Sequence, residues 1–287
     1  MGLENSHFYS IIIYSLKTIV RILKRNVMSK VVIITGASSG IGLATAHRLA
    51  KKGYKVYGLA LNEFSDGLFE CYQADVNDLA AVNQIFKTVK QREGRIDAVI
   101  NNAGFGIAGA VEYSKPERIQ SIFDTNLTAL VKISSIAITY LKETKGNLIN
   151  ISSVAGVLPI PFQACYSATK AAVLNFSLAL DGEVRRFGVK VTAVLPGDTK
   201  TGFTTARVIE DGEDDYGGHI GKSIRRMEKD EQNGKSPDTV ARVIEKTLKK
   251  RRPPLKVTVG AQYKLFVFLS KVLPTRLINF ILRKMYG

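Results

Sequence analysis

The sequence predicts an α/β fold, a single-domain, doubly wound parallel sheet with helices on both faces. Apolar β-branched runs alternate with helical patterns along most of the chain, which is the order of strands and crossover helices in a parallel sheet. The first run, VVIIT at residues 31–35, leads directly into a glycine-rich turn. No internal repeat or low-complexity linker interrupts the alternation. The pattern therefore indicates one domain over residues 28–260, with extensions over 1–27 and 261–287.

The predicted elements follow one another in a regular order. Seven segments have the apolar composition of buried strands: VVIIT, YKVYGLAL, FECYQADV, DAVINNAG, GNLINISS, VKVTAVLPG and RRPPLKVTVG. Helical spacing of apolar residues predicts a helix that stops at Gly53 and further helices over about 78–92, 117–141 and 164–187.

The net charge of +16 is concentrated at the two ends of the chain. Residues 1–27 hold four Lys or Arg against one acid, and residues 235–287 hold thirteen against two. A nearly neutral body with basic ends argues against a nucleic-acid partner and fits ends that lie on an anionic membrane surface. Two cysteines without a CxxC motif and three scattered histidines predict neither a disulfide framework nor a metal site.

The turn after the first strand reads TGASSGIG, with Gly36, Gly40 and Gly42 in the spacing G-x-x-x-G-x-G. It lies between a strand and a helix, where backbone N–H groups and the helix dipole can hold a pyrophosphate. The alternative is a glycine turn that serves only packing.

A second candidate site combines a hydroxyl, a phenol and an amine. Tyr166 and Lys170 in ACYSATK stand at positions i and i+4 and share one face of the predicted helix. A phenol beside an ammonium group ionises more easily, which suits an acid–base catalyst. Ser153 in NISSVAG precedes the tyrosine by thirteen residues. The alternatives are a packing tyrosine and a serine that only caps a strand end.

Together with NNAG (101–104), DTNLTAL and PGDTKT, these motifs resemble the short-chain dehydrogenase/reductase family in its single-domain Rossmann form. The match runs from Val31 to about Thr201. The resemblance implies a catalytic tetrad of Asn126, Ser153, Tyr166 and Lys170. The cofactor contacts it implies are Gly36, Ser38, Ser39, Gly40, Ile41, Gly42, Leu61, Asn62, Asp75, Val76, Asn102, Ala103, Gly104, Tyr166, Lys170, Pro196, Gly197, Thr199 and Thr201.

The resemblance also implies a role for each member of the tetrad. Tyr166 would protonate a carbonyl oxygen in reduction or take the alcohol proton in oxidation. Lys170 would lower the pKa of Tyr166 and reach the nicotinamide ribose, and Ser153 would donate a second hydrogen bond to the substrate oxygen. Asn126 would hold a water against Lys170. Ser153 is preferred over Ser152 because the family spacing to the tyrosine is thirteen.

The end of the second strand bears on the choice between NAD and NADP. Related enzymes specific for NAD tend to carry an Asp there, and those specific for NADP an Arg one step on. This chain has Ala60, Leu61 and Asn62 instead. With no repelling acid and an Asn that can donate a hydrogen bond, the sequence favours NADP(H) over NAD(H).

The segment over about 200–235 is where the family places a variable substrate lid. Its EDGEDD run, residues 210–215, is expected to be solvated. Apolar residues are expected around the pocket, with no Arg or Lys pair to hold a carboxylate: Phe105, Ile107, Val157, Leu158, Ile160, Phe162 and Phe203. They predict an apolar ketone or alcohol, such as a steroid, retinoid-like or oxo-lipid carbonyl. The alternatives are a 3-oxoacyl carrier-protein reductase and a catalytically quiet dinucleotide-binding regulator.

Both ends of the chain are apolar and basic. Residues 261–287 read as amphipathic helices that would lie on a membrane surface, close the pocket or contact another subunit. Residues 1–27 are similar, and they are extra if Met28 is the true start. We therefore expect a cytoplasmic homo-oligomer, a dimer or a tetramer, with peripheral membrane contact as an option.

Overall fold

The structure, a computed structural model, describes residues 29–210, 212 and 215–287. The predicted N-terminal extension over 1–27 lies outside the described residues, as do three residues of the EDGEDD run.

Seven parallel strands form the central sheet, in the order β3-β2-β1-β4-β6-β7-β9. The strand order reverses between β1 and β4, so a crevice opens beyond their carboxyl ends, where ligands of such sheets bind. This topology confirms the predicted doubly wound fold. The strands are β1 (Val31–Thr35), β2 (Lys55–Ala60), β3 (Glu70–Gln73), β4 (Ala98–Asn101), β6 (Asn147–Ile151), β7 (Lys190–Pro196) and β9 (Lys256–Val259).

Helices cover both faces of the sheet, and a short parallel pair, β5 (Ile107–Ala108) with β8 (Val208–Ile209), joins the region after β4 to the lid. A π-helical turn, Asp124–Thr128, connects α3 to α4. The helices are α1 (Gly40–Lys51), α2 (Leu79–Glu93), α3 (Pro116–Phe123), α4 (Ala129–Thr144), α5 (Ala164–Val184), α6 (His219–Gln232), α7 (Pro237–Lys249), α8 (Ala261–Val272) and α9 (Thr275–Tyr286).

Strand β1 shows why the first apolar run is continuous. Val31 and Ile33 pack into the core on one face of the sheet, and Val32 and Ile34 pack into the core on the other. Because both faces are covered by helices, all five side chains of the strand are buried, and the four that pack into the two cores are apolar.

Within the described residues, the helical segment Pro116–Thr144 is the one stretch that could span a bilayer by length and composition. Its α4 part packs Ile133, Ala137 and Leu141 into the core, all essentially inaccessible to solvent. This burial is what a core helix of the fold requires.

The expectation of a solvated EDGEDD run is wrong for its first residue. Glu210 is buried and pairs with Arg118 of α3, with 3.1 Å between Oε2 and Nη1. Gly109 makes room for it, because a Cβ there would lie 2.7 Å from the Glu210 Cβ. The carboxylate therefore anchors the lid to the body of the domain.

Candidate active site

One cavity of about 420 Å³ opens at the carboxyl ends of the central strands. It brings together three of the four predicted catalytic residues, namely Ser153, Tyr166 and Lys170. The predicted cofactor residues that line it are Gly36, Ser38, Ser39, Gly40, Ile41, Asn102, Ala103, Gly104, Tyr166, Lys170, Pro196, Gly197, Thr199 and Thr201.

The glycine turn is shaped by close backbone approaches. Gly36 and Gly40 have φ of +66° and +53°, and a Cβ on Gly42 would lie 2.0 Å from the Gly36 carbonyl oxygen. Helix α1 begins at Gly40 with no acidic residue in its first turn and no side-chain cap from Ser39. This cradle, with a helix N-terminus pointing into the cavity wall, fits the pyrophosphate of a dinucleotide.

Asn102 holds the glycine turn in place. Its Nδ2 donates to the carbonyl oxygens of Thr35 and Gly36, both at 3.0 Å, and its backbone N–H donates to Thr35 Oγ1 at 2.9 Å. Asn102 was predicted as a cofactor contact. The structure gives its side chain the additional task of fixing the turn on which the cofactor would rest.

Tyr166 faces the cavity from the first turns of α5. Burial raises the pKa of the phenol to about 12, and a hydrogen bond from Ser153 opposes that rise. The neighbouring Ser152 donates instead to the Lys170 carbonyl oxygen at 2.7 Å. Of the two serines, Ser153 is therefore the one placed to act with Tyr166.

Lys170 lies one turn further along α5, with its Nζ 5.7 Å from the centre of the Tyr166 ring. The amine donates to the Ile151 carbonyl oxygen at 3.0 Å, and burial lowers its pKa to about 8. The expected lowering of the Tyr166 pKa by Lys170 is not what the structure shows. Burial governs both groups, and Ser153 is the larger opposing influence on the phenol.

Asn126 is buried in the π-helical turn and does not line the cavity. Its Oδ1 accepts from the Phe105 N–H at 3.0 Å and its Nδ2 donates to the Phe105 carbonyl oxygen at 2.9 Å. It approaches Lys170 beside Gly104, where a Cβ would lie 2.7 Å from Oδ1 and 3.6 Å from the lysine Nζ. Asn126 thus fixes the loop after β4 close to the amine. The π-helical turn locally widens the helix, which lets the side chain of Asn126 reach this loop from within the helical segment.

The remaining predicted cofactor residues lie apart from the cavity. Leu61 and Asn62 follow β2 and are exposed, and Asp75 is exposed beyond β3, where it accepts hydrogen bonds from Asn77. Val76 is buried beside Asp75. Gly42 belongs to the glycine turn, where a side chain would clash with the Gly36 carbonyl oxygen. These residues stand at the same edge of the sheet as the glycine turn, since Ala37 N–H bonds the Leu59 carbonyl oxygen at 3.0 Å.

The predicted apolar pocket residues divide into two sets. Phe105, Leu158, Ile160 and Phe203 line the cavity, whereas Ile107, Val157 and Phe162 pack elsewhere. The two C-terminal helices and the turn between them supply a larger set: Phe266, Leu269, Leu273, Ile278, Ile281, Leu282, Met285 and Tyr286. Of the options weighed for residues 261–287, closure of the pocket is what their inner face does.

Sequence reasoning missed a polar cluster on the cavity wall. Glu231 of α6 pairs with Arg207 and accepts from Thr204 Oγ1 at 2.6 Å. Asp198, which follows β7, accepts a hydrogen bond from the hydroxyl of Tyr263. Burial raises the pKa of both carboxyls. Asp198 belongs to the PGDTKT motif, which was the one signal available for it.

A sequence profile of the short chain dehydrogenase family matches residues 30–211. The chain belongs to this family. It is 36% identical over 264 residues to a 3-ketodihydrosphingosine reductase of Bacteroides thetaiotaomicron, covering 90% of this chain and 98% of that one. A short-chain dehydrogenase from Streptomyces avermitilis has a similar solved structure, with a TM-score of 0.77 and 28% identity over 86% of this chain and 94% of that one.

A further solved structure, ElxO with NADP bound, has a TM-score of 0.69 and 25% identity over 83% of this chain and all of that one. The protein is therefore an oxidoreductase of the short-chain dehydrogenase family that uses a nicotinamide cofactor, and the glycine cradle fits that group.

Proposed function

We propose that the protein is an NADP(H)-dependent reductase that converts the keto group of a long apolar lipid into a secondary alcohol. The observation that carries the proposal is that Tyr166 shares its cavity with the apolar inner face of α8 and α9. The relative named 3-ketodihydrosphingosine reductase is matched over 98% of its length and 90% of this chain. Among the predicted steroid, retinoid-like and oxo-lipid classes, this favours the oxo-lipid, and specifically a 3-keto sphingoid base.

The residues of the cavity divide the chemistry between them. The bound nicotinamide would supply the hydride to the carbonyl carbon. Tyr166 would give its phenolic proton to the carbonyl oxygen while Ser153 donates a hydrogen bond to the same oxygen, so that the product is a neutral secondary alcohol. Lys170 would reach the nicotinamide ribose and, with Asn126, return a proton to the phenolate.

The protonation state that Tyr166 needs depends on the direction of the reaction. With its pKa raised to about 12, the phenol carries its proton at neutral pH and is ready to act as an acid. Oxidation would need the phenolate at the start.

The preference for NADP(H) rests on the end of β2. Ala60 is followed by the exposed Leu61 and Asn62, so no carboxylate stands there to repel a 2′-phosphate. Asn62 would donate a hydrogen bond to it.

The outer face of α8 and α9 supports a membrane contact. Five large apolar side chains of α8 and α9 are exposed and do not line the cavity: Leu265, Phe268, Val272, Leu277 and Phe280. Basic residues accompany them at Lys264, Lys271, Arg276, Arg283 and Lys284. An apolar face flanked by cations suits an anionic lipid surface, from which a lipid ketone would also be taken. We propose a cytoplasmic protein, a dimer or a tetramer, that docks peripherally through this face.

The two alternatives gain less support. A quiet dinucleotide-binding regulator would have no need of Ser153 beside Tyr166. A 3-oxoacyl carrier-protein reductase would have no need of apolar C-terminal helices over its cavity.

The test is a turnover assay with purified full-length protein, NADPH and 3-ketodihydrosphingosine in mixed micelles, followed by loss of NADPH absorbance. We expect saturable turnover that requires Tyr166. Absence of turnover with this ketone, with steroid or retinoid ketones faring better, would refute the oxo-lipid assignment.

A further inference from the structure

Two carboxylates on the cavity wall have only one cation between them. Asp198 and Glu231 both line the cavity, and the side chain of Glu231 is 14% exposed. Arg207, 1% exposed at its side chain, pairs with Glu231. Among the described residues, the partner of Asp198 is the neutral hydroxyl of Tyr263, and no second cation pairs with it. Lys170, the cation that lines the same cavity, donates to the Ile151 carbonyl oxygen instead. This side of the wall therefore has one carboxylate more than it has paired cations, which is costly unless a ligand compensates it.

A second, independent observation comes from Gln163. This residue precedes α5, lines the cavity and is 4% exposed. Its Nε2 has no hydrogen-bond partner. A buried amide donor left unpaired destabilises a protein, so an unpaired donor on a cavity wall points to an acceptor on a ligand.

These groups stand close to the reacting phenol. The Tyr166 ring lies 5.5 Å from the Phe203 ring, and the Phe203 ring lies 5.9 Å from the Arg207 guanidinium carbon. The negative charges of Glu231 and Asp198 both raise the pKa of Tyr166, which places them within electrostatic range of the phenol.

Building on the proposed function, we propose that Asp198 and Glu231 bind an ammonium group carried next to the reacting carbonyl, and that Gln163 donates a hydrogen bond to a neighbouring hydroxyl. The substrate class is then a long-chain amino ketone with a polar, cationic head and an apolar tail along α8 and α9. Arg207 keeps Glu231 oriented, and the second carboxylate supplies the charge that the ligand neutralises. A cation at this place would also lower the raised pKa values of both acids.

The structural alternative is that Glu231 only ties α6 to the lid through Arg207 and Thr204. That role would not distinguish one ketone from another. The ratio of kcat/KM between a cationic and a neutral substrate therefore separates the two readings.

The experiment compares 3-ketodihydrosphingosine with its N-acetyl derivative, which has the same tail and no charge, using NADPH and full-length protein. We expect the wild type to favour the amine at least tenfold in kcat/KM, and Glu231→Gln or Asp198→Asn to reduce that ratio at least tenfold. Glu228→Gln is the matched control, since Glu228 lies on the same helix α6 and does not line the cavity. It should leave the ratio unchanged.

A wild-type ratio near one, or both carboxamide variants keeping the wild-type ratio, would overturn the inference. The wild-type ratio of kcat/KM between the two substrates tests the inference by itself, even if a variant does not fold. Turnover of neither ketone would instead refute the proposed function, so the two failures are distinguishable.

Discussion

The hydroxyl of Tyr263 donates a hydrogen bond to Asp198, and this contact ties α8 to the loop that follows β7. The ring also covers Gly197, where a Cβ would lie 2.2 Å from two of its atoms. The residue at position 197 is therefore a glycine because the tyrosine occupies the space of a side chain. Through this contact the C-terminal helices are joined to the loop predicted to hold the nicotinamide.

Tyr263→Phe should loosen that junction. We expect a several-fold rise in KM for the ketone and a loss of stability of about 1–3 kcal/mol, since the variant removes a hydrogen bond to a carboxylate. Tyr286→Phe, which loses a bond to Asp230 on α6 at 3.0 Å, is the parallel variant for α9. Steady-state kinetics and urea unfolding measure both effects. An unchanged KM in both variants would mean that the helices do not order the substrate.

Tyr166→Phe should lower kcat at least a hundredfold and leave the Kd for the cofactor within a few fold, because the ring remains and only the proton donor is lost. Tyr140→Phe, a change of the same size on α4 away from the cavity, should retain activity. Lys170→Ala should damage both kcat and cofactor binding. Retained turnover in Tyr166→Phe would contradict the assignment of Tyr166 as the proton donor. An unchanged cofactor Kd in Lys170→Ala would contradict the proposal that Lys170 binds the nicotinamide ribose.

Much of this site could be predicted from local sequence patterns. The spacing of Ser153, Tyr166 and Lys170 holds because a strand end and one helix face are positioned by the fold itself. The direction of the Tyr166 pKa shift could not be predicted in this way. The burial that raises this pKa is set by the whole surrounding structure, and it outweighs the contact between Tyr166 and Lys170 at positions i and i+4. Glu210 shows the same limit, since its partner Arg118 lies 92 residues away.

The lowered pKa of Lys170 predicts a pH-dependent stability. Its pKa falls from 10.5 unfolded to about 8 folded, so between these values the unfolded chain binds more protons and stability rises with pH. Compared with Lys170→Met, the wild type should gain about 2 kcal/mol between about pH 8 and pH 10. Urea unfolding of both proteins across that window is the measurement. A constant difference would show that the amine is hydrated in the folded state.

The cofactor preference can be reversed at one exposed position. We expect a higher kcat/KM with NADPH than with NADH, and Leu61→Asp should shift the ratio toward NADH by placing a carboxylate against the 2′-phosphate. Leu68→Asp, on an exposed leucine in the same β2–β3 connection, is the matched control and should not shift it. A wild-type preference for NADH would contradict our interpretation of Ala60–Asn62.

Membrane docking and pocket closure use opposite faces of the same two helices, so they can be tested separately. Phe268 and Phe280 are exposed and do not line the cavity, whereas Leu282 is buried and does. Full-length protein should float with anionic vesicles and poorly with neutral ones, and salt should weaken binding because each basic residue near the surface contributes about 1 kcal/mol.

Phe268→Glu with Phe280→Glu should abolish flotation and leave KM for a micellar substrate close to wild type. Leu282→Ala should leave flotation close to wild type and raise KM for the micellar substrate. Val111→Glu, on an exposed apolar residue outside α8 and α9, controls for added charge. Removing residues 1–27 should reduce flotation only in part, because they carry four basic residues against thirteen in 235–287. Truncation after Gly260 should lose both properties. Equal failure to float on anionic and neutral vesicles would leave the two helices as a lid whose outer face meets another subunit.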